Sequence, residues 1–143
     1  MSPDPTTVTG PSPEQFAGDS PAQVSKRLFN AMRPKFFPAS VLPVLAGTAW
    51  GFIVAGQFDW PVFLRALVAT VCVHAAANVL NDVGDDIGGT DRQNEQRIYP
   101  YTGGSRFIQA GIMSVNGMAR LGISLLGVAA IAGMLLLLSK GMM

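Results

Sequence analysis

Residues 60–86 read WPVFLRALVATVCVHAAANVLNDVGDD, an apolar run that ends in a series of polar residues. Residues 60–80 are long and apolar enough to cross a bilayer, for which a helix needs about 20 mostly apolar residues. Asn78, Asp82 and Asp86 then recur at intervals of four, and each such step on a helix turns the side chain by only about 40°. We therefore predict a membrane-spanning helix whose end carries a single polar stripe.

The chemistry of this stripe points to a cation. Asp82, Asp85 and Asp86 would repel one another at close range unless a positive charge lay between them. Oxygen ligands select hard cations, and Mg²⁺ is commonly bound together with phosphate. Asn78 lies within the apolar run, where a polar side chain is costly and is usually functional. The stripe predicts a membrane-edge site for a metal-bound, phosphorylated substrate, and the alternative is an ordinary solvated helix end.

Composition supports a membrane protein. Of the 143 residues, 49% are hydrophobic and 13% are charged, with a mean hydropathy of +0.34, whereas a soluble domain has about 25% charged residues. Two further apolar windows lie near 38–56 and 118–139. We predict an all-α, polytopic membrane protein with three transmembrane helices. The net charge of +1 gives no reason to expect a nucleic-acid partner, and the stripe has neither EF-hand nor Walker-loop spacing.

The N-terminal region divides into two parts. Residues 1–25 are rich in Pro, Ser and Thr and contain no Lys or Arg, a composition typical of a disordered tail. Residues 26–37, KRLFNAMRPKFF, place apolar side chains on one helical face and basic ones on the rest, which predicts a short helix lying on the membrane surface. The membrane domain is therefore expected to be residues 26–143.

Basic residues set the expected orientation. They precede the first span and recur between the second and third, whereas the turn at 57–59 contains none. Because cytoplasmic segments are enriched in Lys and Arg, we predict that the N-terminus and the loop 81–117 face the cytoplasm, in the cytoplasmic membrane. The stripe would then lie on the side where phosphorylated metabolites occur.

The loop after the stripe is the second candidate for substrate binding. Residues 88–111 read GGTDRQNEQRIYPYTGGSRFIQAG, and the guanidinium groups of Arg92, Arg97 and Arg106 are suited to phosphate. We interpret the loop as a cover over an anionic substrate; the alternative is a flexible loop whose arginines follow the orientation rule. Arg33 has two open roles, reaching into the site or binding lipid headgroups. His74 likewise either lines the site or bonds a neighbouring helix.

These residues together resemble a known family. The pattern Asn78-x-x-x-Asp82-x-x-x-Asp86, with Arg33-Pro34 before the first span, resembles the first aspartate-rich motif of the UbiA superfamily of intramembrane aromatic prenyltransferases. The stretches NDVGDDIGGTD and TGGSRFIQAG are most similar to the menaquinone-pathway branch, whose members prenylate 1,4-dihydroxy-2-naphthoate. The resemblance covers about residues 26–139 and corresponds to the N-terminal third of such an enzyme, whose second aspartate motif has no counterpart here.

The resemblance implies a polyprenyl diphosphate bound through Mg²⁺ and an aromatic acceptor. It implies that Asp82 and Asp86 are the catalytic, metal-holding residues and that Asn78 assists with the metal or the diphosphate. The residues expected to bind substrate are Asn78, Arg33, Arg92 and Arg106.

Other expected partners are membrane lipid and either the missing C-terminal half of the enzyme or further copies of the chain. Two alternatives stay open at this point. The chain is a non-catalytic remnant of such an enzyme, or it is a small membrane scaffold or cation-binding protein.

Overall fold

The structure, a computed structural model, describes residues 10–89 and 104–140. Four α-helices occupy most of these residues: α1 (Pro21–Ala31), α2 (Pro38–Ala55), α3 (Trp60–Ile87) and α4 (Val115–Lys140). Short 3-10 turns precede α1 and α2, at Pro13–Phe16 and Pro34–Phe36. No β-strand occurs in the described residues, and the prediction of an all-α fold is confirmed.

Three segments are long and apolar enough to span a bilayer: Pro34–Ala55, Trp60–Ile87 and Val115–Ser139. They confirm the three predicted transmembrane helices. Helix α2 ends at Gly56, whose φ of 70° is the left-handed conformation that glycine adopts without steric cost. The Asp59 carboxylate accepts the Val62 amide at 3.1 Å, which satisfies a donor at the start of α3.

Part of the expected disordered tail is folded. Helix α1 begins at Pro21 because Ser20 caps it: the Ser20 hydroxyl accepts the Gln23 amide, and the Gln23 side chain accepts the Ser20 amide. The Pro13–Phe16 turn lies further towards the N-terminus. Within residues 1–25 the structure thus shows a 3-10 turn and the first residues of α1, while residues 1–9 lie outside the described part of the chain.

The predicted surface helix 26–37 also has different bounds. Helix α1 ends at Ala31, and Arg33 adopts a left-handed backbone with φ 58°. The following residue, Pro34, disfavours helical backbone in the residue before it, which explains why α1 does not continue through Arg33.

The chain forms two compact units, and α3 and α4 each contribute residues to both. The first unit contains residues up to 33 and residues 78–121. Its buried apolar side chains come from the first 3-10 turn, α1, α3, the segment after residue 103 and α4: Phe16, Ala31, Val79, Val83, Phe107 and Met118.

The second unit contains residues 34–77 and 122 onwards. Here the Ser40 hydroxyl and His74 Nδ1 lie 2.5 Å apart, and the Phe37 ring meets the His74 ring edge-on at 5.7 Å. His74 thus bonds the neighbouring helix α2, the second of its two expected roles. Arg65, also on α3, approaches the Leu135 carbonyl of α4 at 3.5 Å.

Candidate functional site

The polar stripe lies on helix α3. Because α3 continues without a break to Ile87, Asn78, Asp82 and Asp86 share one face of the helix. Asp82 is 2% exposed and Asp86 is 7% exposed. Asp85 is half-buried and instead accepts a 2.7 Å hydrogen bond from the Asn81 amide. The structure therefore brings two carboxylates into the site and gives the third a local partner.

The segment 104–114, which we call the return loop, supplies a donor to each buried carboxylate. The Ser105 backbone N–H donates to Asp82 Oδ2 at 2.9 Å. The Gln109 side-chain amide donates to Asp86 Oδ1 at 3.1 Å. Ser105 and Gln109 are four residues apart, as are Asp82 and Asp86. The two hydrogen bonds therefore join equally spaced positions on the return loop and on the last turns of α3.

Local chemistry explains the shape of the return loop. Gly104 and Arg106 have left-handed backbones, with φ of 72° and 58°. The Phe107 amide then donates to the Ser105 hydroxyl at 3.3 Å, and the Ala110 amide donates to the Arg106 carbonyl at 2.9 Å. These bonds close a tight turn that directs the Ser105 N–H away from its own segment and towards α3.

Asp82 carries the electrostatic signature of a ligand site. Its Oδ1 atom is buried and has no hydrogen-bond partner among the described residues. An unsatisfied buried polar atom costs about 1–3 kcal/mol, and more when it is charged. The chemistry of this oxygen therefore fits a bound cation.

The types of side chain present also limit which kind of cation site these residues could form. The described residues contain no group of three or more His, Cys, Asp or Glu side chains that could hold a metal. Mg²⁺ in proteins is usually held by one or two carboxylates together with water and substrate phosphate, and seldom by an all-protein cage. Asp82 and Asp86 fit the first arrangement.

Of the remaining predicted site residues, some lie in the described part of the chain and others do not. Asn78 Nδ2 donates to the Met32 carbonyl at 3.2 Å, so this amide connects α3 to the end of α1. Arg33 and Arg106 are half-buried, and both have φ of 58°. Arg92 lies outside the described residues, as does Arg97. The binding roles of these side chains stay predictions.

Sequence reasoning did not single out Ser105 and Gln109, although both stand in the stretch TGGSRFIQAG. A backbone N–H donor such as that of Ser105 leaves no residue-type signal, because every residue except proline carries one. For Gln109 a signal existed, since its spacing from Ser105 equals that between the two aspartates.

Comparison with known proteins shows similarity to one family and to several of its members. The model of the UbiA prenyltransferase family matches residues 41–141. The 1,4-dihydroxy-2-naphthoate octaprenyltransferase of Escherichia coli is 32% identical over 90 residues, which cover 63% of this chain and 27% of that protein. The 2-carboxy-1,4-naphthoquinone phytyltransferase of Synechocystis is 26% identical over 109 residues, covering 70% and 36%.

A third relative is UbiA prenyltransferase domain-containing protein 1 of Xenopus tropicalis, 38% identical over 63 residues that cover 44% of this chain and 18% of that protein. The aligned part thus covers between 18% and 36% of the length of these relatives. No solved structure gave a significant match. Because the family match extends over most of the chain and includes all three membrane-spanning helices, the chain belongs to the UbiA prenyltransferase family.

Proposed function

We propose that Asp82 and Asp86 form a site for the Mg²⁺-bound diphosphate of a polyprenyl diphosphate. The observation that carries this proposal is the buried Oδ1 of Asp82, which has no hydrogen-bond partner within 10–89 and 104–140, on the same helix face as a second buried carboxylate. The family supports a prenyl-transfer role for such a site. The reaction class is transfer of the prenyl group to an aromatic acceptor within a membrane.

Each residue of the site has a proposed task. Asp82 and Asp86 would hold the metal, and the return loop would keep their carboxylates oriented through the Ser105 and Gln109 donors. Mg²⁺, when bound, supplies Lewis-acid stabilisation of the negative charge that develops on the leaving diphosphate. Asn78 is the proposed third contact to the metal or the diphosphate. Arg33 and Arg106, and Arg92 by the same chemistry, would bind phosphate oxygens.

In the transfer itself the allylic C–O bond breaks, and its electron pair leaves on the diphosphate. The aromatic ring supplies the electron pair for the new C–C bond, and the attacked carbon then releases its proton, or carbon dioxide where it bears the carboxylate, so that this bonding pair returns to the ring. Apolar surroundings favour this chemistry because they keep water from the electron-poor allylic carbon and strengthen electrostatic interactions. The large apolar side chains of the three membrane-spanning helices are suited to that task.

For the acceptor we propose 1,4-dihydroxy-2-naphthoate or a closely related naphthoquinone precursor, as in menaquinone biosynthesis. Support comes from the two relatives whose names specify naphthoate and naphthoquinone substrates. We further propose that the N-terminus and the 81–117 region face the cytoplasm. Because the aligned part covers at most 36% of the length of those relatives, we assign turnover to an assembly with further helices, either the rest of such an enzyme or other copies of this chain.

The proposal is tested by equilibrium binding. The purified chain in lipid nanodiscs is incubated with radiolabelled geranylgeranyl diphosphate, with Mg²⁺ or with excess EDTA. We expect saturable binding that requires Mg²⁺ and is displaced by inorganic pyrophosphate. Absence of Mg²⁺-dependent binding would contradict the proposal. Mg²⁺ binding that is indifferent to the diphosphate would instead favour a small cation-binding protein.

A further inference from the structure

A short segment before α1, residues 11–19, lies against the return loop, and we call it the N-terminal strap. The buried residue of this strap is Phe16, at the end of the 3-10 turn and 8% exposed. The Phe16 ring packs on the Phe107 ring with centroids 4.8 Å apart. Phe107 is 3% exposed, so these two rings form a buried apolar contact between segments far apart in sequence.

Helix α1 holds the strap in place through two basic side chains. Lys26 Nζ donates to the Gln15 carbonyl at 3.0 Å and lies 5.3 Å from the centre of the Phe16 ring. The Arg27 guanidinium donates to the Phe16 carbonyl at 3.0 Å and also to the Gly18 carbonyl. Each of these bonds has a charged donor and is therefore stronger than a neutral one. Together they fix the strap backbone on either side of Phe16.

Phe107, the second ring of this contact, belongs to the segment that bonds the carboxylates of Asp82 and Asp86. Phe107 lies midway between Ser105 and Gln109, the residues that donate to Asp82 and Asp86. The Phe107 amide itself bonds the Ser105 hydroxyl. Phe107 thus lies between the two donors in the chain and is bonded through its own amide to one of the two residues that carry them.

We propose that Phe16 is a positioning residue: through Phe107, the strap holds the return loop in the register that presents Ser105 and Gln109 to Asp82 and Asp86. The consequence for ligand affinity rests on the proposed function, whereas the mechanical part does not. Without the strap the return loop opens more often, the carboxylates lose their fixed orientation, and the metal–diphosphate group binds more weakly.

Hydrogen exchange of the full chain in nanodiscs tests the mechanical part without any ligand. Phe16→Ala is compared with Phe29→Ala, the same change at a position of α1 that is 53% exposed. We expect amides in peptides covering 104–113 to exchange about tenfold faster in Phe16→Ala, because local opening sets their rate. Peptides from α4 should be unchanged, and Phe29→Ala should match the parent chain throughout.

A second variant allows the test to be made even if Phe16→Ala does not fold. Arg27→Gln removes the guanidinium bonds to the Phe16 and Gly18 carbonyls, leaves the Lys26 bond and both rings in place, and should also give faster exchange at 104–113. Mg²⁺-dependent binding of geranylgeranyl diphosphate should weaken about tenfold in both variants with unchanged stoichiometry, as expected for a more frequently open site.

Unchanged exchange at 104–113 in Arg27→Gln, or an equal effect of Phe29→Ala, would overturn the inference. The results can contradict the proposed function and the role of the strap independently of each other. If the parent chain binds no diphosphate while the exchange effect is present, the proposed function fails and the strap stands. If the diphosphate binds and exchange is unaffected, the strap fails.

Discussion

Replacing Asp82 with asparagine removes one negative charge from the site and hardly changes the volume of the side chain. Asp82 is 2% exposed, and only one of its two carboxylate oxygens has a partner among the described residues. Asparagine retains an oxygen that can accept the Ser105 N–H. Asparagine leaves a polar Nδ2 atom in place of Oδ1 but removes the charge, and because burying a charge costs more than burying a neutral polar group, we expect the metal-free Asp82→Asn protein to be as stable as the parent or more stable.

Ligand binding should respond in the opposite direction. Even the loss of an outer-shell partner of a metal ligand lowers metal affinity about 10- to 100-fold. Loss of a ligating carboxylate should therefore weaken Mg²⁺-dependent diphosphate binding by about 100-fold or more, which corresponds to about 2.8 kcal/mol. A variant that is at least as stable but cannot bind would separate the ligand role of Asp82 from a structural one.

Asp85→Asn is the matched control, three residues along the same helix. Its carboxylate is half-buried and bonds Asn81, and a partly exposed charge contributes about 1 kcal/mol or less. Binding should weaken about fivefold at most. The assay combines radioligand binding with thermal unfolding, each with and without Mg²⁺ and geranylgeranyl diphosphate. Equal affinities for Asp82→Asn and the parent, or equal losses in the two variants, would refute the assignment of Asp82 as a metal ligand.

Two further predictions concern the return loop and the orientation of the chain. Arg106→Gly should fold normally, because glycine accepts a φ of 58° without strain, and it should weaken diphosphate binding about tenfold through loss of a charged donor; undiminished affinity would remove Arg106 from the site. In a Cys72→Ala background, a cysteine at Ser25 should resist a membrane-impermeant maleimide added to intact cells and one at Gln57 should react, and the reverse pattern would contradict the predicted orientation.

The membrane-spanning helices were predictable because their signal is repeated over about 20 residues. The spacing of Asn78, Asp82 and Asp86 also predicted helix as far as Asp86, although the orientation argument treated 81–117 as the loop between two spans, and α3 does continue to Ile87. Asparagine, aspartate and glycine are weak helix formers, yet the last turns of α3 stay helical where the return loop bonds Asp82 and Asp86. Such tertiary support cannot be read from local propensity.

In the N-terminal region the prediction relied on average composition and gave no weight to individual residues. Averaged over residues 1–25, the abundance of Pro, Ser and Thr indicates disorder. Two local features oppose that average: the Ser20–Gln23 capping box that starts α1, and Phe16, whose buried partner lies about 90 residues away in the chain. The capping box was visible in the sequence, whereas the contact with Phe107 depends on the fold.

The length of α3 has a consequence for the membrane in which the chain resides. Its 28 residues extend over roughly 42 Å, at about 1.5 Å per residue, while the hydrocarbon core is about 30 Å thick. Residues 60–80 alone match that thickness, which leaves Asp82 and Asp86 at the level of the lipid headgroups. A thicker bilayer would draw these carboxylates towards hydrocarbon, and tilting cannot relieve the mismatch because it shortens the span further. Bilayer thickness would therefore affect how closely charged headgroups in the same leaflet can approach Asp82 and Asp86.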